Sequence, residues 1–152
     1  MINLADALPR LLPNAIEWAR KQQAAVLAVG RQLTARELAL ATSVGVRNPE
    51  RVRLELVAAF PQPSHPELRA AARQTELIGP NTKGLTFGYA ILMLKGELTT
   101  RLLSHELRHV YQYETAGSIE DFLPEYLGQI VTVGYRNAPY ELDARKHESD
   151  LV

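Results

Sequence analysis

Residues 105–109 read His105, Glu106, Leu107, Arg108 and His109, a pattern whose chemistry exists only if the segment is helical. Residues four apart on an α-helix differ by about 40° in direction and about 6 Å in height, so two imidazoles so spaced can converge on one cation. Glu106 is rotated by about 100° from His105 and flanks that point instead of joining it. Leu103, Leu107 and Val110 recur at i, i+4 and i+7 on the opposite side, while Gln112 and Ala116 fall on nearly the same side as the histidines. The pattern predicts a helix over 98–116 with one face in the core and its histidine face on a cleft.

The rest of the chain reads as scaffold around that helix. Ile16, Ala19, Ala24, Leu27 and Ala28 recur roughly at helical period and predict a helix over 13–33. Thr34 and Glu37 have capping-box spacing ahead of a short helix to about Val44, ended by Gly45. Residues 52–56 alternate apolar and charged, as a half-buried strand does. Pro61, Pro63 and Pro66 enforce a loop, and Ser64 with Glu67 repeats the capping-box form before a helix to about Leu77. After the turn residues Gly79, Pro80 and Asn81, residues 85–94 are rich in β-formers and predict one strand. Gly117 and Ser118 break and recap the helical pattern. Ile119, Phe122, Leu123, Tyr126, Leu127 and Ile130 then form an apolar stripe on a further helix. Asn137, at a cap, and Pro139 open a last helix to about Asp150. The expected fold is α+β, mainly helical, with a small sheet of two or three strands. It forms one domain over 1–152, with 1–80 as mostly helical scaffold and 84–150 around the motif.

Composition narrows the chemistry. The 152 residues include no cysteine, so thiolate ligands and a cysteine nucleophile are excluded, and any transition metal must be held by imidazole and carboxylate. Seventeen basic residues balance 17 acidic ones, which gives no electrostatic reason to expect nucleic acid or an anionic membrane as partner. No apolar run approaches the length of a membrane span, and the N-terminus lacks the basic, uninterrupted apolar pattern of a signal peptide; the cytoplasm is the expected compartment.

With these residues in place the chain resembles the zincin metallopeptidases, whose active-site helix carries HExxH. The resemblance covers roughly residues 84–148. It implies that His105 and His109 bind Zn²⁺, that Glu106 is the general base toward metal-activated water, and that the strand just upstream lines the cleft for a peptide or protein substrate. Arg108 departs from the stricter pattern, which prefers uncharged residues between the histidines.

The same resemblance implies a third ligand. Gln112 and Thr115 exclude the metzincin form, which has Gly and His there. The gluzincin form takes a Glu from a later helix, and Glu141 in the run Glu141, Leu142, Asp143, Ala144 looks like its E-x-x-A pattern. Glu114 points about 180° away from His105. Glu120 sits in a first helical turn, Glu125 lies on a polar face, and His147 and Glu148 remain alternatives. Arg145 stands where the thermolysin form has an Asp, and Asp143 is placed to miss the histidines. Tyr135, Arg136, Tyr140 and Tyr113 are the candidates for stabilising an oxyanion. Two other readings remain: a zincin scaffold serving as a binding or regulatory module with a structural or lost metal, and a helical interaction protein with an accidental motif.

Overall fold

A computed structural model describes residues 1–150. Among them the chain forms six α-helices and a four-stranded mixed sheet, so the fold is α+β. The sheet has the order β1-β2-β4-β3, with β1 Arg31–Gln32, β2 Arg53–Val57, β3 Gly84–Phe87 and β4 Ala90–Leu94. Only β2 and β4 pair in parallel. This is one strand more than the sequence suggested. The run 85–94 is not a single strand but a hairpin, folded at Gly88 and Tyr89.

The turn has a local cause. Phe87 pairs with Ala90, which leaves a two-residue loop, and Gly88 at its first position has φ +64°, as a type II′ turn requires. The carboxamide oxygen of Gln23, from the first helix, accepts the Tyr89 N–H at 3.1 Å and pins the turn.

The sheet separates two apolar clusters. Leu85, Phe87, Ala90 and Leu92 face one side, where α1 (Leu4–Val29), α3 (Pro66–Gln74) and α5 (Ile119–Val133) cover them. Leu54, Ile91 and Met93 face the other, against α2 (Ala35–Ser43) and the motif helix α4 (Thr100–Ala116). Leu103, Leu107 and Val110 are all buried in that second cluster, so the core face of α4 is the one its spacing specified. α6 (Pro139–Lys146) packs on the far side of α4.

Several boundaries move for identifiable reasons. α1 begins at Leu4, capped by the Asn3 side chain, and runs through Pro9 and Pro13. Its buried stripe is Ala7, Leu11, Ala15, Ala19 and Val26; Ala24, Leu27 and Ala28 are exposed. α3 is capped by the His65 imidazole, not by Ser64, and stops at Gln74. α6 is capped at Ala138 without a side-chain bond and ends at Lys146, so Asn137 is not its cap. The Thr34–Glu37 capping box, the Gly117 break and the Ser118 cap all form. Among the described residues no helix is long and apolar enough to cross a membrane.

Gly88 is the most demanding position of the hairpin, because a Cβ there would lie 2.0 Å from the Gln23 oxygen as well as meeting a positive φ. Gly88→Ala is expected to destabilise the protein by at least about 1 kcal/mol, read as a lower urea midpoint at unchanged m value.

Candidate metal centre

The three side chains singled out as ligands come together. One ligating atom from each of His105, His109 and Glu141 lies within 4.8 Å of the others, and all three residues are buried. α4 supplies the imidazoles one helical turn apart, and α6 supplies the carboxylate from its first turn. Ala144, completely buried, allows the two helices to approach. Glu141 Oε1 is 3.2 Å from His105 Nε2 and Oε2 is 3.0 Å from His109 Nε2. The Tyr126 hydroxyl donates to Oε2 at 2.7 Å. Tyr126 was legible only as part of an apolar stripe; nothing in its spacing from Glu141 announces the contact.

Both Nε2 atoms thus face Glu141, while both Nδ1 atoms are held from outside. His105 Nδ1 lies 2.9 Å from Glu148 Oε2, and His109 Nδ1 lies 2.7 Å from Gln112 Oε1. Oxygen partners on both Nδ1 atoms hold the two rings with their Nε2 atoms aimed at one point, the arrangement found around ligating histidines. Two imidazole nitrogens and one carboxylate oxygen, with no thiolate in the chain, are a donor set of the kind that would suit a zinc ion. Glu148 is therefore a partner of a histidine and not the third member of the triad. His147 turns back onto α6, its Nδ1 2.8 Å from the Asp143 carbonyl oxygen. Glu114 is far from the triad and accepts from the Arg47 and Asn48 backbones and the Tyr89 hydroxyl. Glu120 pairs with Arg20, and Glu125 accepts from the Tyr140 hydroxyl.

Glu106 occupies its own niche at the sheet edge. The Thr86 hydroxyl donates to its Oε1 at 2.7 Å, and only 4% of the residue is exposed. Its carboxylate lies against the backbone of Gly84, where an added Cβ would meet Glu106 Oε2 at 3.0 Å. The absence of a side chain at 84 is what lets this carboxylate sit beside the strand.

Glu106, His105, Glu141 and Tyr135 line a cleft of about 300 Å³ beneath the 79–84 loop. A smaller cavity of about 60 Å³, walled by Leu85, Phe87 and Phe122, adjoins Glu106 and His109 on the core side. Of the four oxyanion candidates, Tyr135 alone lines this cleft. Tyr113 donates to the Thr86 carbonyl at 3.2 Å, Tyr140 is tied to Glu125, and Arg136 is exposed. Burial and the nearby Glu141 carboxylate push the Tyr135 phenol well above its ordinary pKa and keep it a hydrogen-bond donor.

The triad is electrostatically coupled. Burial alone would lower the His109 pKa, but Glu141, Glu106 and Gln112 outweigh it and raise it to about 9. His105 is raised in the same way: burial opposes the shift, and Glu141 and Glu106 drive it. Burial would raise Glu141, yet the two imidazoles hold it far below the usual carboxylate range. A raised imidazole pKa gives stability that is complete below about 6.5 and lost as pH climbs through about 9. Glu141, held low, stays ionised across that window. The chelator-treated protein should therefore lose melting temperature between about pH 6.5 and 9, and Glu141→Gln should flatten that slope.

No family model matches the chain, and comparisons with curated proteins and with solved structures find no match either.

Proposed function

We propose that the chain is a zinc-dependent hydrolase, in all its parts closest to a peptidase of the zincin kind. The observation that carries this reading is the triad of His105, His109 and Glu141 beside a carboxylate that belongs to none of its pairs. Glu106 is held by Thr86 at the cleft and is free to serve as a base. His105, His109 and Glu141 would hold a divalent metal, which would supply Lewis acidity when bound. Glu106 takes the proton from the attacking water and returns it to the leaving amine. Tyr135 stands at the cleft to donate a hydrogen bond to the oxygen on which negative charge develops.

The sheet supports a peptide substrate. β3 is an edge strand, and in an antiparallel pair alternate residues turn their N–H and C=O groups outward. With Phe87 and Ala90 closing the hairpin, Gly84 and Thr86 are the outward residues of β3. Tyr113 already occupies the Thr86 carbonyl, which leaves the Gly84 groups and the Thr86 N–H for an extended chain. The cavity beyond Glu106 and His109 is apolar and has room for a small apolar side chain next to the scissile amide.

One observation favours a second reading. Both Glu141 oxygens already have partners, so the triad satisfies itself as a buried ion-pair cluster, as a binding or regulatory module with a lost metal would need. Metal analysis separates the two. The hydrolase reading expects about one zinc per chain and severe loss in His105→Ala; a chain with no zinc after reconstitution sinks it. Glu106→Gln should keep the metal and lower cleavage of a mixed peptide library by at least about 100-fold. Gly84→Ala, which pushes on the Glu106 carboxylate without touching the triad, should likewise reduce kcat while metal content stays unchanged.

A further inference from the structure

We propose that Arg145 is the carboxylate-recognising residue of the cleft, and that the substrate is a peptide carrying a carboxylate one or two residues from the scissile amide, as its chain terminus or as an acidic side chain.

Arg145 follows Glu141 by one turn of α6, so it starts about 6 Å farther along that helix and about 40° around it. Its side chain accordingly lines the same cleft of about 300 Å³ as His105, Glu106, Tyr135 and Glu141. A cation in the last turn of a helix has a simpler use, complementing the helix dipole. Lys146 beside it serves that purpose from the exposed side; Arg145 is half-buried and turned to the cleft. This is also the position at which the chain departs from the thermolysin form.

The other charges that line the cleft are partnered or in solvent. Glu141 faces the two imidazoles and the Tyr126 hydroxyl, and Glu148 is shared by His105 and Arg101. Glu106 accepts from Thr86, and Lys83 lies 3.6 Å from Glu97. Glu76 is exposed ahead of the 79–84 loop. Arg145 donates from Nη2 to the Arg136 carbonyl oxygen, which fixes one end of its fork. Among the described residues it makes no ion pair, so its charge and its remaining N–H groups are left for a ligand. A guanidinium fork matches a carboxylate with two parallel hydrogen bonds, which a neutral amide oxygen cannot offer.

Geometry sets where that carboxylate sits. An extended peptide advances about 3.3 Å per residue, so the offset of about 6 Å along α6 corresponds to about one or two residues. A cleft of about 300 Å³ is at the small end of ligand sites and suits the end of a chain or one side chain better than a long run of residues.

The cleavage specificity rests on the hydrolase reading; the carboxylate binding does not. The test uses the full chain and three acetylated peptides: one with a free terminal carboxylate, the same peptide as its terminal amide, and that amide with Asp as its last residue. In the chelator-treated protein, ¹H–¹⁵N spectra should show the Arg145 Nε–Hε signal, identified by its loss in Arg145→Lys, moving with a carboxylate peptide and not with the plain amide. In the zinc-loaded protein, kcat/KM should be about 10- to 100-fold higher for a carboxylate peptide than for the plain amide, the range of a charge-assisted hydrogen bond. Arg145→Met should abolish that ratio. Arg145→Lys, which keeps the charge without the fork, should retain part of it, even if Arg145→Met proves poorly folded. The preferred peptide names the source: a free terminus means that chains are trimmed from the C-terminal end, Asp that they are cut beside acidic residues. An equal loss on all three peptides in Arg145→Met assigns the residue to the developing oxyanion and overturns the proposal, as does an Arg145 signal indifferent to carboxylate. A signal that moves in a protein that takes up no zinc leaves the carboxylate site standing and refutes the hydrolase reading.

Discussion

A carboxylate that is 1% exposed has to be compensated, and the architecture around α4 follows from how Glu141 is compensated. Isolated in a protein interior, such a charge would neutralise or unfold its surroundings. Two imidazoles and a phenol surround it instead, which keeps it ionised and raises the imidazoles in turn. Removing one member of a buried pair of this kind costs about 3–5 kcal/mol, because the survivor stays uncompensated. The same arrangement that resolves the burial problem presents two nitrogens and an oxygen to a single point.

α4 carries three separate duties on three faces. Leu103, Leu107 and Val110 bury the helix against the sheet and α2. Glu106 and Tyr113 meet β3, where Thr86 binds the one through its hydroxyl and the other through its carbonyl. His105, Arg108, His109 and Gln112 meet α6. A helix clamped on all these sides has little freedom to roll, and rolling would separate the imidazoles from Glu141. α6 is short and its bonds to α4 are largely ionic or polar. The rigidity of the site therefore depends on charge pairing more than on apolar packing at that contact.

Much of the fold was legible because local rules and tertiary demands agree. The Thr34–Glu37 box, the Gly117 break and the α5 stripe need only neighbours in sequence, and each forms. The errors fall where they disagree. Residues 85–94 carry β-formers without interruption, and only the conformational freedom of Gly88 divides them; an apolar run conceals such a turn. The stripe of α1 departs from the expected one beyond Ala19 because alanines serve both exposed and buried positions, and the helix begins at Leu4, ahead of the expected residue 13, because tertiary packing carries it through Pro9 and Pro13.

The pentapeptide by itself determined that two imidazoles would share one helical face and that Glu106 would stand beside them, since helix geometry sets those angles whatever the surroundings. The absence of cysteine likewise confined any ligand set to nitrogen and oxygen. Only the tertiary structure decided that α6 returns to bring Glu141 between those rings, that the Tyr126 hydroxyl donates to the carboxylate and that Asp143 accepts from Gln112. These contacts join residues 15 to 36 positions apart, and no local propensity encodes a distance of that kind. It is decided by how helices of given length and apolar face pack on the sheet.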